Sequence, residues 1–493
     1  MVTVLTTIKY KDEINQLISG VPRLGELVNV IEEENKLEVL SKVIFVDNNL
    51  IKAELDWFDT EPPYIIPEVV FNENNFLALV FYKLGNQQKA FEFISENNAL
   101  YYPLLIATHI QFQYEISEKM FSNENTVHNQ CIISHYGNYV NGYDSTLLKN
   151  LYQEAIKTAI DDEFKAFTIK HYCNFLADLN DFQEVERIVR LFDGKGLTEK
   201  AKIELELQLA SALTAQLEFP YGKEILDEIS KLFKKGIEFY ESNELKVKAG
   251  LLYIDASAIE NYKGDLIKSK ELINQAILIF KQEDIPEFLG EAGLQKATLL
   301  YKWSKNGSPQ YYKPAINAFQ DTLKVFKRDT HPKKFADVHH NLALIYSEIP
   351  VSLEEKPIWT AFCASSFKEV LKFYNKENYP YEYAMASHNY ATALMSFPEA
   401  KLHNNSDKAF WLFEEALSIR SEEKYPFERA LTLINQLELF WIMHNENSDE
   451  ESRKYSLMLN KANEISRLVT DGHILEKAKE HLLNLESLNI ILN

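Results

Sequence analysis

Cysteine is scarce in this chain of 493 residues. The three cysteines, Cys131, Cys173 and Cys363, are far apart and odd in number. This spacing builds neither a disulfide framework nor a Cys-x-x-Cys metal knuckle. So few cysteines are typical of a protein in a reducing compartment, and we expect a cytoplasmic location.

Long hydrophobic runs are also missing. No stretch approaches the roughly 18 apolar residues of a membrane-spanning helix. One of the longest candidates, residues 101–110, is short and contains a histidine. Residues 1–10 show no basic segment followed by an apolar run, so no signal peptide is predicted. The sequence therefore predicts no association with a membrane.

Glycine and proline are few, with 15 of each in the chain. Both residues destabilise helix interiors, so their scarcity favours an all-helical chain. Hydrophobic residues make up 46% and aromatic residues 12% of the sequence, which is enough to bury a continuous core. A chain of this length forms about two to four ordinary domains, or one solenoid.

Positive charge is in deficit, because 52 lysine and arginine residues face 73 aspartate and glutamate residues, a net charge of −21. Nucleic-acid binding requires a basic stripe that neutralises phosphates, so this balance argues against a nucleic-acid partner. It is compatible with a basic protein partner. An acidic surface that keeps the protein in solution explains the same balance and is the more common case.

Sequence motifs of the common catalytic sites are absent. The chain contains no glycine-rich phosphate loop of the Gly-x-Gly-x-x-Gly or Gly-x-x-x-x-Gly-Lys-Ser/Thr type. It also contains no Gly-x-Ser-x-Gly nucleophile motif and no His-Glu-x-x-His zinc helix. We therefore expect a protein that is not an enzyme, with no catalytic residue, no cofactor and no metal site.

A repeated arrangement of proline, alanine and asparagine occupies the C-terminal half. In each copy, alanine lies four residues after the proline and asparagine nine residues after it. The three copies are Pro332, Ala336 and Asn341; Pro380, Ala384 and Asn389; and Pro426, Ala430 and Asn435. Successive prolines are 48 and 46 residues apart. A period of this size indicates stacked helical hairpins and not a single wound sheet.

A second block of small and bulky residues accompanies each copy of the proline block. Its internal offsets of 4, 7, 8 and 10 residues are the same in all three copies. The blocks are Ala315, Phe319, Thr322, Leu323 and Val325; Cys363, Phe367, Val370, Leu371 and Phe373; and Ala409, Phe413, Ala416, Leu417 and Ile419. A helix that packs between two neighbours needs a small residue at each close crossing and bulky residues in the gaps, so we expect the small residues to be buried.

These blocks resemble tetratricopeptide repeats. The first helix of that family carries Asn-Leu-Gly-x-x-Tyr, and the second carries Ala-x-x-x-Phe/Tyr-x-x-Ala-Leu. The matching positions are Asn341-Leu342-Ala343-x-x-Tyr346 and Ala409-x-x-x-Phe413-x-x-Ala416-Leu417. The resemblance covers roughly residues 72–480, and the period of 46–48 residues exceeds the 34 of the family. It implies an all-α fold, a right-handed α-solenoid of antiparallel helix pairs.

The clarity of the repeat pattern changes along the chain and divides it into four parts. Residues 1–70 are expected to form an N-terminal cap or small appendage, and residues 71–250 degenerate repeats. Residues 251–445 carry the clearer repeats. Residues 446–493 are expected to form C-terminal capping helices, because a solenoid end needs a polar outer face.

The repeated asparagines are the candidate binding residues. In tetratricopeptide proteins the first helices line a concave groove, and an asparagine at this register often bonds the main chain of a bound peptide. The resemblance implies a ladder of Asn341, Asn389 and Asn435, with Asn174 as a fainter earlier member. A carboxamide offers a donor and an acceptor together without charge. The alternative, that these asparagines only bridge neighbouring helices, stays equally open.

Three further residues belong to the candidate groove. His340 and His388 each precede a repeated asparagine, so we expect binding to change between about pH 6 and 7, where an ordinary histidine titrates. Trp411 is turned about 100° from Phe410 by the helical period, so we expect it to be partly exposed. An exposed tryptophan is a common anchor of protein interfaces.

Three classes of function are compatible with these patterns. The first is a non-catalytic scaffold or adaptor that binds a partner peptide or helix in the groove, as a subunit of a bacterial regulatory or defence complex. The second is a peptide- or ligand-responsive sensor that acts through a separate effector. The third is an all-helical enzyme, for which the sequence gives the least support.

Overall fold

The computed structural model shows that helix dominates, as predicted. It describes residues 1–32, 42–122, 124, 126–398, 404–443 and 447–492. Helices account for 69% of the chain, which confirms the all-α solenoid class. Within the described ranges, no helix combines the length and the apolar character needed to cross a bilayer. The chain divides into two compact units, Met1–Gly264 (the N-terminal unit) and Asp265–Asn493 (the C-terminal unit).

The N-terminal unit begins with a small mixed sheet. Its strands are β1 (Val2–Thr6), β2 (Val28–Glu32), β3 (Val43–Asp47), β4 (Leu50–Ala53) and β5 (Val69–Val70), and α1 spans Ile8–Ser19. The strand order is β2-β1-β3-β4-β5; β1 is parallel to β2 and β3, and the other pairs are antiparallel. All five residues of β1 are buried. A strand buried on both faces lacks the alternation that reveals a strand in a sequence, so this sheet left no clear pattern.

The rest of the N-terminal unit is helical. The helices are α2 (Glu73–Lys83), α3 (Gln87–Glu92), α4 (Tyr101–Phe112), α5 (Glu118–Ser122), α6 (Val127–Tyr136), α7 (Ser145–Lys157), α8 (Asp162–Asp178), α9 (Phe182–Leu191), α10 (Glu199–Ala215), α11 (Lys223–Ser242) and α12 (Lys246–Tyr262). Two short strands, β6 (Glu115–Ile116) and β7 (Asn138–Tyr139), form a parallel pair. Helices α6/α7, α8/α9 and α10/α11 pack as consecutive pairs, and we call α6, α8 and α10 first helices.

The C-terminal unit is described by helices alone. They are α13 (Leu266–Gln282), α14 (Pro286–Lys305), α15 (Tyr312–Thr322), α16 (Pro332–Glu348), α17 (Lys356–Phe373), α18 (Pro380–Met395), α19 (Asn405–Ile419), α20 (Pro426–Ile442), α21 (Ser448–Leu468) and α22 (Gly472–Leu492). The pairs α14/α15, α16/α17, α18/α19 and α20/α21 each consist of a first and a second helix. Each predicted repeat in this unit is one such pair.

Proline begins each first helix of the C-terminal unit. This position suits proline because the first N–H groups of a helix have no partner within it. The residue before each proline of the three predicted repeats adopts the same conformation: His331 at φ −136° and ψ 61°, Tyr379 at −137° and 57°, and Tyr425 at −139° and 53°. Proline excludes the helical region for the residue that precedes it, so the sequence sets where each first helix starts.

The small residues of the repeats lie at close crossings, as predicted. Ala336, Ala384 and Ala430 on the first helices and Ala416 on a second helix are fully buried. Gly290 occupies the same register in α14, where an added Cβ would lie 2.7 Å from Cζ of Phe326. The buried positions of the alanines confirm which face of each helix points inward.

Candidate functional site

Two of the three repeated asparagines connect consecutive first helices. Nδ2 of Asn389 on α18 donates to Nε2 of His340 on α16, at 2.9 Å. Nδ2 of Asn435 on α20 donates to Oγ1 of Thr392 on α18 at 2.9 Å and lies 3.4 Å from Nε2 of His388. The asparagines are half-buried, so each side chain combines a structural bond with access to solvent.

The first of the three repeated asparagines, Asn341, makes a different contact. Nδ2 of Asn341 donates to the main-chain oxygen of Asp337, one turn earlier in α16, at 2.9 Å. The preceding first helix, α14, carries Gln295 at the register of the asparagines, nine residues after Pro286. The sequence pattern missed this fourth repeat, because glycine and glutamine replace the alanine and asparagine of the other copies.

We call the side of α16, α18 and α20 that carries Asn341, Asn389 and Asn435 the asparagine face. The hydrogen bonds described above use only the Nδ2 atoms of these carboxamides. Within the part of the chain that the structure describes, no donor contacts their Oδ1 atoms. A carboxamide can accept at Oδ1 and has two N–H donors, so each retains capacity for a further partner.

The two histidines of the asparagine face are neutral at ordinary pH. Burial lowers the pKa of His340 to about 4, against a weaker opposing effect of Asp337. Burial, reinforced by the positive charge of Arg420, lowers the pKa of His388 to about 3. The prediction that binding changes between pH 6 and 7 because these two rings titrate is therefore wrong. An ordinary histidine value does not apply, because both rings are packed between helices.

Charge on the asparagine face is predominantly negative. Residues three, four or seven positions from each asparagine share its side of the helix. The carboxylates at these registers are Asp337, Glu348, Glu382, Glu428 and Glu438. Three of them have a lysine within ion-pair distance: Lys305 is 3.0 Å from Glu348, and Lys333 and Lys477 are each 3.9 Å from Asp337 and Glu438, respectively. Lys334 also lies at one of these registers, and its ammonium group is 2.8 Å from a carboxylate oxygen of Glu291. Within the described residues, Glu382 and Glu428 are therefore the carboxylates at these registers without an ion pair.

Asn174 lies in the N-terminal unit, within a different network. Oδ1 of Asn174 on α8 accepts from Nε2 of Gln208 on α10 at 2.9 Å. Its Nδ2 donates to Oη of Tyr136 at 3.1 Å, and the same oxygen is 3.1 Å from Nδ1 of His171. The contact with Gln208 connects two first helices, as the bonds of Asn389 and Asn435 do in the other unit.

Sequence reasoning missed the asparagine that holds an extended segment of the chain itself. The N–H of Ile65 donates to Oδ1 of Asn129 on α6 at 2.8 Å, and Nδ2 of Asn129 donates to the carbonyl of Ile65 at 2.9 Å. Nε2 of the adjacent His128 lies 3.1 Å from the carbonyl oxygen of Pro63. The available signal was the His-Asn dipeptide, which recurs on two first helices, at His340-Asn341 on α16 and His388-Asn389 on α18. The dipeptide is a weak signal, because it also occurs at positions 403–404 and 444–445.

The connecting segment, residues 54–66, turns at residues 57–61 and is fixed by further contacts of the first helices. Trp57 is buried, and its carbonyl accepts from Nζ of Lys170 on α8 at 2.5 Å. The same ammonium group is 2.9 Å from Asp59 and 3.1 Å from Glu204 on α10. Burial acts to lower the pKa of Lys170, but Glu204 and Asp59 outweigh it and raise the pKa. A polypeptide segment is thus held by first-helix side chains through its main chain and an inserted tryptophan.

Trp411 lies on α19, a second helix, and 67% of its side chain is exposed, as the helical period predicted. Its ring contacts Phe410 edge-on, with centroids 5.7 Å apart. The asparagines lie on first helices, so Trp411 belongs to a different side of the repeats. A role for Trp411 in an interface stays a prediction.

Groups of three or more histidine, cysteine, aspartate or glutamate side chains with the spacing of a metal site are not found among the described residues. The buried titratable groups described above contact neighbouring helices or residues 54–66 of the chain itself.

The similarity of this chain to known proteins is low. No family profile matches the chain, and no curated protein matches it. The crystal structure of a Signal Transduction ATPase with Numerous Domains (STAND) protein with a tetratricopeptide repeat sensor, from Pyrococcus horikoshii, is similar at 14% identity and a TM-score of 0.48. That similarity covers 97% of this chain and 82% of the other.

A second solved structure is a circular tandem repeat protein with a novel repeat topology and enhanced subunit contact surfaces. It is 13% identical, with a TM-score of 0.21, and the similarity covers 84% of this chain and 88% of that one. Neither similarity is high enough to carry an argument. The conclusion that this chain is a helical-repeat protein rests on the helix pairs described above.

Proposed function

We propose that this chain is a non-catalytic interaction protein whose asparagine face binds an extended segment of a partner protein. The observation that carries the proposal is the pair of bonds between Asn129 and the main chain of Ile65. These bonds are made by a carboxamide on a first helix. They use the N–H and the carbonyl of one residue and therefore do not depend on its side chain.

The asparagine face offers the same chemistry in a row. Asn341, Asn389 and Asn435 lie at one register of three consecutive first helices, and their Oδ1 atoms retain capacity to accept. An extended strand presents an N–H and a carbonyl at every residue. A partner segment running across the three helices would satisfy both, as residues 63–65 do against α6.

We further propose that the partner segment is basic. The carboxylates of the asparagine face outnumber its lysines, and Glu382 has no ion-pair partner within the described residues. Complementary charge accelerates encounter and selects among partners more than it adds affinity. Lysine or arginine flanking the captured segment would meet these carboxylates.

Peptide selection on the intact protein tests this function. A display library of short random peptides is selected on the full chain, and the selected peptides are titrated against wild type and a variant with all three asparagines changed to alanine. We expect basic sequences that bind wild type and lose affinity in the triple variant.

A matched variant separates binding from stability. Thr392→Val removes the hydroxyl that Asn435 bonds across the helices but leaves every carboxamide in place. If this variant binds as wild type does, the carboxamides themselves contact the peptide. If the triple variant retains full affinity, or if its affinity falls only in step with its melting temperature as in Thr392→Val, the asparagines bridge helices and the proposal is rejected.

A further inference from the structure

A second candidate binding site lies on the second helices of the C-terminal unit. A cavity of about 250 Å³ opens between α15 and α17, with the end of α16 at its base. Three aromatic side chains line it: Tyr346 from α16, and Trp359 and Phe362 from α17. Ile316 on α15 completes the apolar wall.

The three rings form one connected surface. The centroid of Tyr346 lies 5.6 Å from those of Trp359 and Phe362, which are 6.0 Å apart. Phe362 is 50% exposed, and Ile358, one turn earlier on α17, is 58% exposed. Oη of Tyr346 accepts from Nε2 of Gln320 at 3.3 Å, which orients the ring at the base of the cavity. An open aromatic surface of this kind suits one planar side chain.

The rim of the cavity on α15 is polar and carries a cation. Lys313 and Asn317 lie one turn apart on α15, both exposed and both lining the cavity. Within the described residues, no carboxylate pairs with the ammonium group of Lys313, although the chain has an excess of acidic residues. A cation left without a partner beside an aromatic wall is complementary to a ligand that joins an aromatic ring to a carboxylate.

The N-terminal unit already recognises this combination within the chain. The Phe58 ring packs against Tyr240, with centroids 6.4 Å apart, and Nζ of Lys248 lies 5.9 Å from the Phe58 centroid. The neighbouring Asp59 lies 2.9 Å from Nζ of Lys170. An aromatic residue followed by aspartate is thus held by aromatic side chains and lysines of this protein.

We propose that the cavity between α15 and α17 binds an aromatic side chain followed by a carboxylate in a partner polypeptide. The aromatic ring packs on the surface formed by Tyr346, Trp359 and Phe362, and the carboxylate pairs with Lys313 at the rim. Lys313, Trp359 and Phe362 lie on second helices, and the site does not depend on the asparagine face. The protein therefore carries a second docking position, with a charge preference opposite to that of the first.

Three small probes separate the two parts of the proposed ligand. N-acetyl-Phe-Asp-amide carries both, N-acetyl-Phe-Asn-amide lacks the charge at nearly the same shape, and N-acetyl-Ala-Asp-amide lacks the ring. Each is titrated into the full chain, and binding is followed by ligand-observed nuclear magnetic resonance. We expect the first probe to bind with a dissociation constant tighter than about 10 mM. The probe without the charge should bind about two- to fivefold more weakly, and the probe without the ring at least about tenfold more weakly.

Matched variants assign the effect to the cavity. Lys313→Met should reduce affinity for the first probe to that of the asparagine probe, whereas Lys372→Met, at an exposed lysine of α17 outside the cavity, should not. Phe362→Ala should weaken both phenylalanine probes. Phe427→Ala is its control, because Phe427 is 47% exposed and does not line the cavity. Circular dichroism verifies that each variant is folded.

Equal binding of the two phenylalanine probes to wild type would overturn the proposal, because Lys313 would then make no contribution. So would binding of the first probe that is weaker than about 10 mM, or binding that Phe362→Ala leaves unchanged. Loss of binding in both the cavity variants and their controls would place the probe elsewhere on the protein, and would also overturn it.

Discussion

At the scale of single residues, each hydrogen bond that connects two first helices on the asparagine face needs an acceptor. The acceptor is either an unprotonated histidine nitrogen or a hydroxyl oxygen. Asn389 donates to Nε2 of His340, so that nitrogen must carry its lone pair. A proton on Nε2 would face the N–H group of Asn389 and remove the bond. Burial of the ring lowers the pKa of His340, and the bond from Asn389 requires the same neutral form.

Acid should destabilise the C-terminal unit through His340. Its folded pKa is about 4, against an ordinary value of 6.5, so between these values the unfolded state binds a proton that the folded state does not. Stability is fully present above pH 6.5 and is lost as the pH falls toward 4. The free energy of unfolding of wild type should fall between pH 7 and 4.5, and that of His340→Gln should fall by about 2–3 kcal/mol less. Urea unfolding at both pH values measures the difference.

The control is an exposed histidine. His473→Gln on α22 removes one histidine from the surface and should leave the wild-type difference between the two pH values unchanged. An His340→Gln protein that loses as much stability on acidification as wild type would show that His340 titrates normally in the folded chain.

The charge held by Lys170 gives a second prediction at this scale. Its side chain is 2% exposed and that of Glu204 is 6% exposed, whereas Asp59 is 52% exposed. Lys170→Met leaves Glu204 buried without its cation and should destabilise the N-terminal unit by about 3–5 kcal/mol. Asp59→Asn removes an exposed charge and should cost less than about 1 kcal/mol. Thermal unfolding of both variants checks the order, and equal losses would contradict it.

At the scale of elements, the C-terminal helices follow from proline and small residues. Pro332, Pro380 and Pro426 mark where three first helices begin, because proline fixes its own conformation and restricts the residue before it. The alanine registers predicted the buried faces. Pro286 begins a further first helix, which the pattern missed because Gly290 and Gln295 depart from the consensus while keeping the spacing.

Overpacking tests the assignment of helix faces. Ala384 and Ala416 are fully buried, so a leucine at either position forces neighbouring helices apart. We expect Ala384→Leu and Ala416→Leu each to cost about 1–3 kcal/mol or more, measured by thermal unfolding. Ala361→Leu on α17 is the matched control, because Ala361 is exposed, and it should leave the melting temperature nearly unchanged. Equal tolerance at all three positions would mean that the crossings are looser than the structure shows.

Elements of the N-terminal unit were harder to predict for physical reasons. Strand β1 is buried on both faces and therefore reads as a short apolar run. Asn129 lies near the start of the short helix α6, outside the proline-alanine-asparagine spacing, so its role depended on a long-range contact with Ile65. No local pattern specifies which distant segment a side chain will hold.

At the scale of the whole molecule, each unit has polar side chains on its first helices, but the two sets differ in what they contact. In the N-terminal unit, residues 54–66 of the chain itself are bound by α6, α8 and α10. In the C-terminal unit, the Oδ1 atoms of the asparagine face accept no hydrogen bond from the described residues. We propose that this face captures a partner through the partner's main chain, as Asn129 captures Ile65.

The most direct measurement replaces the backbone N–H groups of a selected peptide, one at a time, with N-methyl groups. Side chains stay constant, and each methylation removes one donor to an asparagine Oδ1. Alternate residues of an extended strand face the same way, so methylation at every second position should weaken binding to wild type about two- to tenfold, with no further loss in the triple asparagine variant. Uniform tolerance of methylation, with affinity that depends on the peptide side chains alone, would contradict main-chain capture.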